Sequence, residues 1–493
     1  MAQFASDQLR FVVGHEGGVS DADIAACLRI EATGDPERWL AFTCWTDPAR
    51  SHWETASGDR KPTPPGVDAL EWMLGELKQD LAGWLGRAGL ETGAAAALPD
   101  GVEAALRNPP VDFDAVGPDA RAPSYGEKWT TYPPDVVPVW VADMDFPVAE
   151  PIRRVLRRSV ARSDLGYPIH PAPTPVPDLT VARMRDRYGW AIEPRNVEVL
   201  SDVVQGMYVA LEQCSEPGEG VVVQTPIYPP FLGSVRKTRR RLVENPLVRG
   251  PEGYGFDLDH LRRVADAGTR MLLLCNPHNP TGRVFRREEL EALAEVVLER
   301  DWIVVSDEIH QDLVYEGHHH VPFASLGPEV AARTITLTAA SKAFNVAGLR
   351  CALAIFGDEK LRQRFNGLPR HLRGGVGILG IESLRAAWEH GEPWLEAARA
   401  YLEANRRFTL DFVARAFPDV VVHPPEATYL AWLDFRSMQL EPSPYAVFLE
   451  KGRVALSDGL AFGEEGRGFA RINFATSRRV LTEALERMVK ALQ

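Results

Sequence analysis

From about residue 197 onward the chain alternates short, almost continuously apolar runs with amphipathic stretches. The apolar runs fall at 197–200, 221–224, 242–244, 271–275, 302–305, 334–338 and 351–356. Helical spacing occupies 205–214, 286–300 and 358–366 between them. Strands without a polar face, separated by helices, predict a mostly parallel sheet covered on both sides. Ligands of such sheets bind beyond the carboxyl ends of the strands. From about Pro393 the pattern changes to a long helix at 394–417, short strands at 420–422, 429–434, 454–456 and 469–473, and a last helix at 481–492.

The first 108 residues read as a separate α+β module. Asp21 is a candidate cap for a helix reaching residue 30, and 40–45 is strand-like. After Pro64-Pro65-Gly66 the apolar positions Val67, Leu70, Leu74, Leu77, Leu81, Trp84 and Leu85 recur in steps of three and four, which predicts an amphipathic helix. Gly93 and the alanines 94–97 read as a tether, and Asn108-Pro109-Pro110 as a boundary. Five of the twelve tryptophans (Trp39, Trp45, Trp53, Trp72, Trp84) lie in this module and are expected to fill a small core, a partner-docking surface being the alternative.

Charge narrows the classes. The net charge is −13, and residues 1–108 carry 17 acidic against 9 basic side chains. That balance argues against nucleic acid or an anionic membrane as partner. No apolar run reaches the ~20 residues of a membrane helix. Five scattered cysteines without metal spacing (Cys27, Cys44, Cys214, Cys275, Cys351) read as reduced thiols of a cytoplasmic protein, and nothing near the N-terminus reads as a signal peptide. His318-His319-His320 is expected to be a solvated loop, with no metal.

Three residues stand just past apolar strands: Asn279, Asp307 and Lys342. A lysine hemmed in by apolar neighbours loses hydration of its ammonium and is biased towards the neutral, nucleophilic amine.

The motifs around them are Asn276-Pro277-His278-Asn279-Pro280-Thr281-Gly282, Asp307-Glu308-Ile309-His310, Ser341-Lys342 and Gly348-Leu349-Arg350. In this order they resemble fold-type-I pyridoxal phosphate (PLP) enzymes of the class I/II aminotransferase superfamily. Trp140-Val141-Ala142-Asp143-Met144-Asp145-Phe146, Thr225-Pro226-Ile227-Tyr228 and Ala343 to Gly348 resemble the MalY/PatB-type cystathionine β-lyase branch. The resemblance covers about 113–493, including an N-terminal arm with Lys128-Trp129. It implies a large PLP-binding domain at 166–389, a small domain built from 113–165 and 390–493, and the accessory module at 1–108.

The same resemblance assigns roles. Lys342 would hold the cofactor and act as base. Asp307 would pair with the pyridine nitrogen and so make the ring an electron sink. Asn279 would bond the phenolic oxygen and lie near the substrate carboxylate, with His310 beside it. Tyr228 would stack on the ring. The phosphate would rest on Val203, Val204 and Gln205 at a helix start, with Ser341 and Arg350; Asp202 is an unusual acid there. Arg471 would clamp the substrate's α-carboxylate. Tyr167 would reach the cofactor of a second subunit in a homodimer.

The implied reaction is β-elimination from an S-substituted cysteine to a thiol or persulfide, pyruvate and ammonia. Transamination by the same residues is the alternative within the fold, and a non-catalytic sensor the alternative outside it. An acidic, Trp-rich module ahead of such a lyase also resembles the C–S lyase domains of leinamycin-type polyketide synthases, which follow a domain of unknown function. That implies a carrier-bound substrate and a carrier-protein or synthase partner for the first module.

Overall fold

A computed structural model of the chain describes residues 2–5, 9–16, 25–33, 35–45, 51–64, 67–88, 90, 97–115, 126–168, 174–250 and 253–493. It separates into two compact units. One comprises Met1–Val111 with Ala149–Ser163 and His390–Trp394; the other comprises Asp112–Val148, Asp164–Glu389 and Leu395–Gln493.

The first unit is built on a six-stranded antiparallel sheet whose strands neighbour one another in chain order, from Ala2–Ala5 to Arg60–Pro62. Alternation along the strands sends Leu9, Phe11 and Val13, then Leu28 and Ile30, then Leu40 and Phe42 into one core. The helix Ala69–Arg87 closes it with Leu70, Met73, Leu74, Leu77, Leu81, Trp84 and Leu85. Asp68 caps that helix by accepting from Leu70 N and Glu71 N, each at 3.1 Å.

The expected helix ending at residue 30 is instead the strand Ala25–Ala32. Cys27 and Arg29 alternate there with buried Ala26, Leu28 and Ile30, a period of two rather than 3.6. Asp21, Pro65, Gly66 and the tether residues 93–96 lie outside the described residues. Of the tryptophans, Trp53 and Trp84 are fully in the core, while Trp39, Trp45 and Trp72 are half-buried. Trp84 is the hub, with edge-on contacts to Trp53 at 4.6 Å, Phe42 at 5.5 Å and Trp72 at 6.5 Å between ring centroids. Trp84→Ala should cost this unit about 3–5 kcal/mol, read from denaturant unfolding followed by tryptophan fluorescence.

The second unit contains a seven-stranded sheet. Five strands run parallel in the order Arg241–Glu244, Gly220–Val223, Thr269–Cys275, Ile303–Asp307 and Thr334–Thr338. Ala352–Phe356 then adds antiparallel, and Val197–Leu200 pairs antiparallel with it, so that it runs in the direction of the first five. Apart from the edge strand Arg241–Glu244, the parallel strands are buried on both faces almost throughout, in keeping with helices on both sides: Val203–Cys214 and Pro229–Lys237 pack with one core cluster, Leu258–Val264 and Arg287–Glu299 with another. A four-stranded antiparallel sheet, ordered Val421–Val422, Leu430–Asp434, Phe469–Asn473 and Ser457–Asp458, follows the long helix Glu392–Ala416.

The register places the chemistry. Asp307 is the last residue of its strand and lies opposite Cys275 on one side and Leu337 on the other. Asn279 and Lys342 each follow a neighbouring strand by four residues. All three therefore emerge at the same carboxyl edge. Gly282 turns the chain back there with φ +74°; a Cβ would stand 2.4 Å from the Pro425 Cβ.

Candidate active site

Beyond that edge lies a cavity of about 830 Å³. Lys342, Asp307, Asn279, His310, Tyr228, Val203, Val204, Ser341, Arg350 and Arg471 all line it. Gln205 and Tyr167 do not: Gln205 turns its side chain to the Ser201 hydroxyl, and Tyr167 is fully exposed.

Lys342 donates from Nζ to the Ala142 carbonyl at 2.7 Å. Burial pushes its amine below the usual lysine range; the Asp143 carboxylate opposes this, and the Arg471 cation adds to it. Asp307 is 5 % exposed and accepts from Ile309 N at 3.1 Å. Burial pushes its carboxyl up to about 7 against that single hydrogen bond. A carboxyl in this state ionises readily once a cation is placed beside it. His310 is buried with its ring edge-on to Tyr429 at 6.1 Å; burial, with Lys342 and Arg471 nearby, pushes it down to about 3, so it is a neutral imidazole. Burial likewise raises the Tyr228 phenol.

Arg471 lies within Phe469–Asn473 and is 4 % exposed. Its guanidinium donates to Asn279 Oδ1 at 2.9 Å, the Trp140 carbonyl at 2.8 Å and Ser457 Oγ at 3.0 Å, and it stands over the Phe462 ring at 4.9 Å. No group in this set neutralises its charge, and burial lowers it to about 10. A buried fork of this kind suits a carboxylate.

The helix Val203–Cys214 starts at the cavity, but its mouth already has an anion. Asp202 accepts from Gln205 N at 2.7 Å and pairs with Arg350 at 2.5 Å. Val203 and Val204 remain at the cavity wall.

Sequence reasoning missed several lining groups: Tyr132 and Tyr445, whose hydroxyls meet at 3.2 Å, and Ser457, which pairs in register with Arg471. Strand register could have revealed Ser457; Tyr132, in a bend, and Tyr445, in the helix Pro444–Gly452, carry no local signal. The segment 140–146 serves the site through its backbone, and Asp145 anchors it by accepting from Lys128 Nζ at 2.8 Å and Trp129 Nε1 at 2.7 Å. The histidine triplet also needs correction. His318 and His319 are exposed, but His320 is buried with Nε2 2.8 Å from Glu308, whose other oxygen accepts from Ser306 Oγ and Phe323 N. A buried carboxylate must be paired, and His320 is its partner.

A lysine, a carboxylate and an arginine gathered at the carboxyl edge of this mixed sheet define the fold-type-I PLP-dependent transferase fold. Residues 173–488 match the family model for aminotransferase class I and II, and the chain belongs to that family. It is 37% identical to cystathionine beta-lyase PatB of Bacillus subtilis, over 73% of this chain and 93% of PatB. It is 37% identical to the cystathionine beta-lyase of Corynebacterium glutamicum, over 74% of this chain and 96% of that one. Among solved structures, cystalysin from Treponema denticola, which contains a pyridoxal 5'-phosphate cofactor, is 30% identical with a TM-score of 0.73, covering 77% of this chain and 98% of cystalysin.

Proposed function

We propose that the chain is a PLP-dependent carbon–sulfur β-lyase acting on S-substituted cysteine. The observation that carries the reading is the meeting of Lys342, Asp307 and Arg471 in one buried cavity of a chain similar to cystathionine β-lyases. The residues present fit the cofactor. Asp307 is a buried carboxyl able to face a cation, Lys342 is a buried amine pushed below the usual lysine range, and His310 Nδ1 and Arg471 Nε are buried without a protein partner.

Bound there, PLP supplies an electron sink for the charge left on the substrate's α-carbon. Lys342 would hold the cofactor covalently and, once its amine is free, take the α-proton. Asp307 would keep the ring nitrogen protonated, Tyr228 would cover the ring face, and Asn279 and His310 would stand beside its oxygen. Val203, Val204, Ser341 and Arg350 would meet the phosphate. Arg471 would fix the α-carboxylate, so that the Cα–H bond faces the amine. Departure of the sulfur group from Cβ, protonated by Lys342, leaves a three-carbon fragment that hydrolyses to pyruvate and ammonia.

Cystathionine and S-alkyl cysteines, offered free and on a carrier protein, test the reading. Pyruvate release without added keto acid is the expected result; a strict keto-acid requirement would identify transamination instead. Arg471→Ala should lower kcat/KM about 10²–10³-fold, mainly through KM, because a buried charge partner of the substrate is lost. Saturation curves for the two enzymes check this. We assign the exposed Tyr167 to a second copy of the chain in a homodimer, which sedimentation at twice the monomer mass would support.

A further inference from the structure

Four consecutive backbone carbonyls, from Trp140 to Asp143, are each held by side chains. Trp140 O accepts from Arg471 Nη2 at 2.8 Å and Ser457 Oγ at 2.8 Å. Asn473 Nδ2 reaches both Val141 O and Asp143 O at 2.7 Å, and Lys128 Nζ reaches Asp143 O at 3.1 Å. Ala142 O accepts from Lys342 Nζ at 2.7 Å and from the Tyr429 hydroxyl at 2.8 Å. Ala142 is thus the one member whose carbonyl is shared with the reactive amine.

Tyr429 is 1 % exposed and precedes the strand Leu430–Asp434, which pairs with the strand bearing Arg471 and Asn473. Burial raises its phenol well above the ordinary range, so it remains a neutral donor. A carbonyl oxygen has two lone pairs. With one taken by a rigid phenol, the other defines a single direction from which the amine is received.

We propose that Tyr429 is a positioning residue for Lys342: its hydroxyl orients the Ala142 carbonyl, and that carbonyl is the seat the amine occupies whenever it is free. The proposal rests on the lyase reading for its catalytic consequence, but not for the seat itself. Sharing the oxygen with Tyr429 also leaves it a weaker acceptor for an ammonium group. The phenol therefore works in the same direction as burial and Arg471, which weaken the amine's hold on its proton, and against Asp143, Asp307 and Glu127, which favour the charged form.

The seat can be read in cofactor-free protein. Lys342 is acetylated with acetic anhydride across a pH series and quantified by peptide mass spectrometry. In Tyr429→Phe the labelling midpoint should rise by about half a pH unit, making labelling below it about threefold slower. In the loaded enzyme kcat should fall about tenfold with KM within about twofold, because the arginine cluster is untouched. Tyr315→Phe is the control, since it removes another buried hydroxyl that donates to a backbone carbonyl, that of Thr428 at 2.5 Å. An unchanged midpoint in Tyr429→Phe, or equal changes in Tyr315→Phe, would overturn the proposal. If Tyr429→Phe does not fold, 3-fluorotyrosine at position 429, a stronger donor of nearly the same shape, should lower the midpoint; no movement overturns it. Failure of the wild-type enzyme to release pyruvate would refute the lyase reading and leave the labelling result standing.

Discussion

Replacing Lys342 with alanine is expected to reduce pyruvate release by about 10³-fold or more, to the limit of detection. On the proposed mechanism, two roles disappear with one side chain. A positioned general base alone contributes about 10²–10⁴-fold, and the covalent hold on the cofactor is lost as well. The amine cannot be supplied by a neighbour. Lys128, the other lysine brought to this part of the fold, is committed to Asp145 at 2.8 Å in a pair that is 3 % exposed on both sides. The measurement is turnover together with the visible absorbance of protein reconstituted with PLP. Retention of full activity would remove Lys342 from the mechanism.

If Asp307 faces the ring nitrogen as proposed, Asp307→Asn should lower turnover about 10²–10³-fold, the cost of leaving a buried cation without its anion. The same substitution has a signature in the cofactor-free protein that turnover does not provide. The carboxyl titrates near 3.8 when exposed and near 7 when folded, so between those values the native state binds a proton that the unfolded chain has released. Stability therefore falls as pH rises through this window. At about 1.4 kcal/mol per unit, the whole interval amounts to about 4 kcal/mol. Asparagine has nothing to titrate. The variant should gain that amount on the wild type between pH 4 and pH 8, as measured by urea unfolding at each pH. His278 and His310, both pushed down to about 3 by burial, are present in both proteins and cancel in the comparison.

The catalytic body was legible wherever local sequence and tertiary structure ask for the same thing. The strand Ile303–Asp307 is mostly apolar because it is covered on both faces, and the motif Asp307-Glu308-Ile309-His310 sets its terminal carboxylate apart from a common strand-end cap. The strand Ala25–Ala32 was read as helix because one candidate cap outweighed a two-residue alternation that was present all along. His320 was misjudged because its reason for being buried, Glu308, faces away from the cavity while Asp307 faces into it. The hold of Tyr429 on Ala142, across 287 positions, was beyond reach: only the pairing of the second sheet brings those residues together, and no local periodicity encodes it. Asp202 is an unusual acid for a phosphate-binding helix start. Its two jobs, capping a helix and pairing with Arg350, needed coordinates.

The clamp on the segment 140–143 has a consequence for how the protein comes into being. Its donors come from far along the polypeptide: Arg471 is 331 positions from Trp140, and Asn473 is 332 from Val141. During synthesis the ribosome exposes Lys342 long before either arrives. Lys342 is added 129 residues before Arg471 (471 − 342), so over that interval the nascent amine lacks both the arginine cluster and the Tyr429 hydroxyl, and closure of the second sheet completes its surroundings. Contacts of such long sequence separation are slow to form, so this seat is completed late.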